Sequence, residues 1–390
     1  MSGSWSIVKR ALAEGVRQLA RRPIYIIVMV LVPIGMSFFF LDLMNKGLPL
    51  QSPTAVVDLD NTPLSRRVVR NLDTSELVDI QYRPSSYGDA MKLLKEGTVY
   101  GFFMIPRNFQ TDAEGGRPTT ITYYCNMAYF IPGTLSFKGF KTTAVSTSGA
   151  IAMTTLVSAG VDGELVNNLL QPVVTQEHPI GNPWLNYSIY LSNSFLPCLL
   201  QLIIFQITAF SILQEIKLGT SIKWVNDAGQ SIVIALFGKL MPQFIIFTSV
   251  GLAMQSLIYF YWGFPLNGNV WSMIWAMVLL VIASQAFALM ITSLIPNLRF
   301  ALSILSLVGI LSFSIAAFSF PVESMYPAVG IFSYIVPIRY YFLIYINVAL
   351  NGYEVYYCRW DYIVLILFAL APMGLLWNLK KNSLNPVYVP

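Results

Sequence analysis

Residues 328–350 read AVGIFSYIVPIRYYFLIYINVAL. The stretch is apolar and long enough to cross a bilayer core, which takes about 20 residues of helix. Yet Pro337 and Arg339 stand in its middle. A charge at the bilayer centre is costly, and broken backbone at that depth is tolerated where protein shields it or where it lines a cavity. The stretch therefore reads as a re-entrant pair of short helices that enters and leaves on one side. This reading decides whether the chain crosses the membrane six or seven times, and so on which side it ends.

The same ruler, applied outward, finds spans at 24–43, 187–213, 232–260, 270–295, 300–320 and 362–377. The first follows Arg21-Arg22-Pro23, and proline suits a first helical turn. A cleaved signal peptide would need small residues at its end, but Asp42, Leu43, Met44, Asn45 and Lys46 follow. Basic residues in short loops set orientation. Lys9, Arg10, Arg17, Arg21 and Arg22 precede the first span, and Lys380 and Lys381 follow the last. Lys217 and Lys223 lie after the second span and Arg299 after the fourth, while 261–269 has no lysine or arginine. Six spans put both basic termini in the cytoplasm and agree with every short loop. Seven would push Lys380 and Lys381 outside.

The expected fold class is an α-helical polytopic membrane protein with six transmembrane helices and cytoplasmic N and C termini. An α/β extracytoplasmic domain lies between the first two spans, and a re-entrant helical segment precedes the sixth. The expected divisions are a cytoplasmic amphipathic interface helix (1–22), the first span (23–44), and the extracytoplasmic α/β domain with its helical stalk (45–185). Spans two to five follow (186–320), with a cytoplasmic loop at 214–230. Then come the re-entrant extracytoplasmic segment (321–361), the sixth span (362–379) and a cytoplasmic tail (380–390).

Composition agrees. Of 390 residues 55% are hydrophobic and only 11% charged, with a mean hydropathy of +0.61, whereas soluble domains carry roughly 25% charged residues. The net charge of +5 is spread beside apolar runs rather than gathered into a nucleic-acid patch. Three widely spaced cysteines, Cys125, Cys198 and Cys358, suggest neither a disulfide framework nor a zinc site. A single histidine, His178, rules out a multi-histidine metal site.

Within 45–185 strand-like pieces alternate with helix-like ones. Residues 54–58, 77–81, 99–105 and 119–124 read as strands, and 64–72 and 87–95 as helices, the first opened by a cap before Pro63. From Pro132 to about Gln171 the chain reads as a polar helical stalk. In residues 4–22, Trp5, Val8, Leu12, Val16 and Leu19 share one helical stripe, with the basic residues elsewhere. That is the pattern of a helix lying in the headgroup plane.

No engine is encoded. There is no phosphate loop, no nucleophile elbow and no H-E-x-x-H helix. Asp58-x-Asp60-Asn61 fails as a calcium loop, because Pro63 stands where glycine is required and Val69 where the closing glutamate belongs. None of the five later spans, as delimited, carries an interior carboxylate, which disfavours an ion-coupled carrier. A membrane sensor with an extracytoplasmic ligand-binding domain is the other alternative. Lys239, the only interior charge, lies about two turns from a cytoplasmic end, where it can snorkel. Asn193, Gln201 and Gln206 of the second span can line a pathway or glue helices together.

Three places resemble the permease subunits of the type-2 ABC transporter family, and the resemblance spans nearly the whole chain. The first is VVDLDNTPLSR at 56–66 with Gly97, Gly101 and Ile105-Pro106-Arg107-Asn108-Phe109, similar to the extracytoplasmic domain of the drug-exporter branch. The second is Glu215-Ile216-Lys217-Leu218-Gly219-Thr220 with Gly238-Lys239 and Pro242. The third is Phe320-Pro321, Met325-Tyr326-Pro327 and Pro337-Ile338-Arg339-Tyr340. The resemblance implies a multi-pass protein of the bacterial cytoplasmic (inner) membrane. Such a permease pairs as a homo- or heterodimer and is driven by a separate cytoplasmic ATPase subunit that binds the ATP and magnesium. This chain itself would bind no cofactor and catalyse nothing. The implied cargo is hydrophobic or amphipathic, drug-like or lipid-like, and a periplasmic adaptor and outer-membrane channel often take part. By the same resemblance Glu215, Lys217, Gly219, Thr220, Lys223 and Trp224 couple to the ATPase, and Pro321, Glu323, Pro327, Pro337 and Arg339 form a re-entrant gate. Glu215, Gly219 and Thr220 also suit ordinary helix termination. Trp224-Val225-Asn226-Asp227 departs from the small-residue and proline sequence usual after the G-T pair.

Overall fold

A computed structural model describes residues 2–48, 50–158, 160–162, 165–166, 178, 180–183, 186–316, 318 and 320–386. In chain order the elements begin with α1 (Ser2–Arg21) and α2 (Pro23–Leu43). They continue with β1 (Ser52–Asp58), α3 (Pro63–Asp73), β2 (Val78–Tyr82), α4 (Tyr87–Lys95), β3 (Gly101–Ile105), α5 (Phe109–Glu114), β4 (Thr122–Cys125) and α6 (Phe130–Ser158). Then follow α7 (Tyr187–Lys217), α8 (Ser221–Asp227), α9 (Ile232–Tyr261), α10 (Val270–Leu294) and α11 (Leu298–Ile315). Last come α12 (Pro327–Ser333), α13 (Pro337–Leu350) and α14 (Val355–Leu384). They form two units, Met1–Gly47 with Pro179–Pro390, and Leu48–His178.

In the first unit, polar residues ahead of apolar runs cap the helices that follow. Asn186 accepts from the Ser188 amide at 2.8 Å, Asn269 from Trp271 at 2.9 Å, Asn297 from Phe300 at 3.1 Å and Ser231 from Ile234 at 3.4 Å. These residues start α7, α10, α11 and α9 respectively. Among the described residues six helices, α2, α7, α9, α10, α11 and α14, are long and apolar enough to cross a membrane. In α7, 78% of the most apolar window is buried, against 17–28% for α2, α11 and α14. So α7 is the central post and those three are peripheral. Lipid gives no hydrophobic drive between helices, so small residues and cross-helix hydrogen bonds set the packing, at about 0.6 kcal/mol per bond. Gly309 of α11 abuts Leu202. Gln255 donates to the Met273 carbonyl (3.0 Å) and the Tyr341 hydroxyl (3.1 Å), and Tyr362 to the Ser272 carbonyl (2.9 Å).

Several boundaries differ from the sequence reading. The second span continues four residues past 213, so 214–217 are helix and the expected loop 214–230 shortens to 218–231. The fifth ends at Ile315, where Ala316 N–H closes on the Ser312 carbonyl at 2.9 Å, rather than at 320. The sixth runs from Val355 to Leu384, so it takes up part of the expected 321–361 segment and of the 380–390 tail. A 3-10 turn at Ala371–Leu375, holding Pro372, bridges its two halves. Pro372 cannot donate to an α-helical ladder. With these limits α7 and α14 do carry carboxylates, Glu215 and Asp361.

Residues 327–350 form a broken pair: α12 and α13 meet at 77° across residues 334–336. Pro337 stands at the first turn of α13, and the residue before it is extended. Ile338 N–H donates to Gln201, halfway along α7, at 2.9 Å. The other end of α13 reaches the start of α7, where the Tyr345 hydroxyl donates to the Ile189 carbonyl at 3.0 Å. Ser333 of α12 hydrogen-bonds the carbonyl of Ile315, the last residue of α11. The far end of α13 thus lies at the end of the bundle where α7 starts, and the bend lies near the middle of α7. At the opposite end α8 meets α14, where Ser221 Oγ donates to the Ser383 carbonyl at 2.8 Å, and α1 packs along the start of α9.

In the second unit a four-stranded sheet has the order β2-β1-β3-β4, with β1 parallel to β2 and β3, and β4 antiparallel to β3. The central strand is apolar on both faces because helices cover both. Val56, Phe103 and Ile105 pack with Val68, Val69 and Leu72 of α3, while Ala55, Val57 and Phe102 pack with Ala90 and Leu94 of α4. Opposed in register, Phe102 stacks on Tyr124 and Phe103 on Tyr123, each at 4.8 Å. The observed helix α6 covers Phe130–Ser158, and most of 159–171, the rest of the expected stalk, lies outside the described residues. Helix α5 is too short to have shown in the periodicity.

Here Asp58 and Asp60 act as caps. Asp58 accepts from the Asp60 and Asn61 amides (both 3.0 Å) and from Ser65 Oγ (2.7 Å). Asp60 accepts from the Phe109 and Gln110 amides (3.0 and 3.1 Å) and from Thr62 Oγ1 (2.6 Å). Thr62 and Ser65 form a reciprocal capping box at α3. The Asp60→Ala variant should therefore cost about 1–2 kcal/mol as a lost cap. In hydrogen exchange of the full chain, the amides of Phe109 and Gln110 should lose protection while those of β1 keep theirs.

Candidate functional site

Helix α7 ends in a left-handed turn. Gly219 has φ +71°, its N–H meets the Ile216 carbonyl at 3.2 Å, and Thr220 N–H meets the Glu215 carbonyl at 2.9 Å. This double closure is a Schellman motif, in which glycine avoids the Cβ penalty. The same pattern ends α8, through Gly229 (φ +67°), Gly229 N–H to Asn226 O at 2.9 Å and Gln230 N–H to Val225 O at 3.0 Å. Two tight stops thus hold a two-turn helix across the ends of α7 and α9.

Beneath it lies a buried ion pair. Lys239, the eighth residue of α9, points inward rather than snorkelling, with a side chain only 5% exposed. Its Nζ donates to Glu215 Oε1 at 2.6 Å and to the Ser211 carbonyl at 2.8 Å, and lies 4.7 Å from the centre of the Trp224 ring. The reason is local: the C-terminal part of α7 supplies the Glu215 carboxylate and the Ser211 carbonyl as acceptors, and the Trp224 ring lies over the ammonium. Glu215 also accepts from Gln18 Nε2 of α1 at 3.3 Å and from Thr220 Oγ1. A desolvated pair holds only when further hydrogen bonds satisfy both ions. Here they come from Gln18 of α1, Ser211 of α7 and Thr220 of the loop that leads into α8.

Helix α1 comes close enough to join them because two glycines meet. A Cβ on Gly15 would overlap the Gly238 carbonyl, and one on Gly238 would lie 2.6 Å from Ala11. Of the apolar stripe Leu19 is buried and Val8 and Leu12 half-buried, while Trp5 and Val16 stay exposed; Ala11, Gly15 and Gln18 face the bundle. Arg22 Nη1 donates to Gln214 Oε1 at 2.7 Å, fastening the end of α1 to α7.

Of the residues named for coupling, Glu215, Thr220 and Trp224 meet here. Gly219 shapes the turn, while Lys217 and Lys223 lie exposed on the loop side. Gln18, Ser211 and Gly15 were missed. The small residues Ala11 and Gly15, spaced one turn apart, were the available signal. Pro321, Glu323 and Pro327 are exposed, whereas Pro337 and Arg339 are buried. The guanidinium of Arg339 lies 4.9 Å from the Tyr334 ring centre, and its Nε and Nη1 have no hydrogen-bond partner among the described residues. Gln201 bridges Ser312 (3.4 Å) and Ile338, Gln206 donates to the Leu302 carbonyl (3.4 Å), and Asn193 accepts from Tyr259 (3.4 Å). Cys125, Cys198 and Cys358 are free thiols. Among the described residues no cluster of His, Cys, Asp or Glu has the makings of a metal site.

Among the described residues six long apolar helices, one of them the central post, with an amphipathic helix and a stapled loop at one end, make this a polytopic membrane protein. The model of the ABC-2 family transporter protein matches residues 23–378. The chain belongs to that family: it is a type-2 ABC permease, a membrane subunit of an ABC transporter, and the family implies an ATPase partner. No curated protein matches its sequence.

Proposed function

We propose that this permease forms half of an ATP-driven exporter moving hydrophobic or amphipathic cargo out of the cytoplasm or the inner leaflet. In this reading the end of the bundle that carries α1, α8 and the C-terminal end of α14 faces the cytoplasm. Arg10, Arg17, Arg21, Arg22, Lys217, Lys223, Lys380 and Lys381 gather on those segments, as the positive-inside rule requires. The unit of residues 48–178 then lies outside, and the α12–α13 pair is re-entrant from the outside. The permease works as a dimer in a bacterial cytoplasmic membrane and binds no nucleotide itself. The adaptor and outer-membrane channel belong to the same picture, as routes for cargo beyond the membrane.

The observation that carries the reading is the Glu215–Lys239 pair. Helix α8 is the surface an ATPase would push, and Thr220 and Trp224 join it directly to charges on α7 and α9. A displacement of α8 therefore has to disturb a desolvated ion pair that ties two spans together. Asn193, Gln201 and Gln206 act in this account as pins between helices. Gln201 in particular holds the start of α13.

A photo-crosslinking residue at position 223, exposed on α8, tests the docking. In membranes holding the assembled transporter it should label an ATPase subunit that bears a phosphate loop. The same residue at position 357, exposed near the start of α14, should not. Labelling from 357 but not from 223 would refute the orientation.

A further inference from the structure

A cavity of about 640 Å³ opens beside the ion pair, lined by α1, α8 and the adjoining ends of α2, α7 and α9. Its lining is strongly cationic. Arg17 is answered by Glu14 at 3.1 Å, and Lys239 by Glu215 at 2.6 Å. Arg22 reaches only the neutral amide of Gln214. Arg10, Arg21 and Lys223 have no ion-pair partner among the described residues, and Asp227 is the one lining carboxylate left over. Four cations around one carboxylate form a site waiting for an anion, and the volume falls in the range of small-molecule pockets.

Its height in the bundle says which anion. Tyr25 in the first turn of α2, Ser211 near the end of α7 and Lys239 near the start of α9 all line it. The cavity thus sits within about two turns of the ends of three spans, which is the headgroup layer. Just inside it, Ile24, Ile27 and Leu31 of α2 are exposed in an apolar track that starts two residues from Arg22. On α1, Trp5 and Val16 are exposed as well. A cationic pocket above an apolar track complements a phosphate with acyl chains attached, and basic pockets between spans bind anionic headgroups.

We infer that this cavity binds the phosphate headgroup of an anionic phospholipid in the leaflet where α1 lies. Arg10, Arg21, Arg22 and Lys223 contact the headgroup, and the chains run along α2. The inference does not depend on the coupling role proposed above, because binding is read on the permease alone.

The test is a lipid titration of the purified full chain in detergent micelles, read by its thermal midpoint. Short-chain phosphatidylglycerol should raise the midpoint saturably, and phosphatidylcholine of equal chain length should not. The Arg21→Gln/Arg22→Gln variant should raise the half-saturating concentration about tenfold or more, the weight of two cationic contacts. Arg10→Gln/Lys223→Gln, which removes no ion pair of the fold, should shift it in the same direction. Equal stabilisation by phosphatidylcholine would overturn the inference, as would an unchanged titration in the Arg10/Lys223 variant. Stabilisation by inorganic phosphate equal to that by the lipid would overturn the lipid assignment.

Discussion

Replacing Lys239 with methionine should destabilise the helical unit by about 3–5 kcal/mol, the usual result of leaving one member of a buried ion pair uncompensated. Glu215 would keep its bonds from Thr220 and Gln18 but lose its counter-charge. The Glu215→Gln variant should cost a comparable amount, because Lys239 would keep only the Ser211 carbonyl and the face of Trp224. The double variant Glu215→Gln/Lys239→Met should recover most of the loss, since replacing both ions is often neutral. Thermal midpoints of the four proteins in one detergent check this. Additive single losses in the double variant would show that the two side chains do not depend on one another.

The second large effect concerns the contact that brings α1 to the pair. Any side chain at 238 must push against the backbone of Ala11, which lies 2.6 Å from a Cβ built there. Overpacking of this kind costs about 1–3 kcal/mol in a core. Here α1 is free to lift instead, taking Gln18 away from Glu215. With cysteines placed at Arg22 and Gln214, whose side chains meet at 2.7 Å, a short bis-maleimide should link wild-type backbone efficiently. Adding Gly238→Leu should abolish the link. Gly35→Leu is the control, since nothing lies within 4 Å of a Cβ at Gly35. Undiminished linking in the Gly238 variant would contradict the close crossing.

Much of this architecture was legible because length and hydropathy are local signals. Each long apolar run became a helix, and Pro337 with Arg339 marked the break in the α12–α13 pair. Boundaries were harder. Glu215 and Asp361 look like span limits by charge, yet helix continues through both, because a terminal turn costs little when a cap or a neighbouring helix satisfies it. The site was less visible still. Glu215 and Lys239 stand 24 residues apart on different helices, and each alone resembles a residue near a helix end with water in reach. Only the folded chain shows that the Trp224 ring lies over the Lys239 ammonium, which also gives a physical role to the departure at 224–227. The packed face of α1 was not legible for a related reason. Hydrophobicity marks the face that meets lipid or core, whereas close helix contact inside a membrane protein is marked by small residues such as Ala11, Gly15 and Gly238.

The central claim is that the ion pair transmits motion between α8 and the spans. The charge-free Glu215→Gln/Lys239→Met variant tests it most directly, because it separates stability from transmission. In nanodiscs holding the assembled transporter, permease-dependent ATP hydrolysis is compared with that of the wild type at matched thermal midpoint. The account predicts a fall of about tenfold, a coupling loss of roughly 1.4 kcal/mol. Wild-type hydrolysis from a complex that lacks both charges would contradict it.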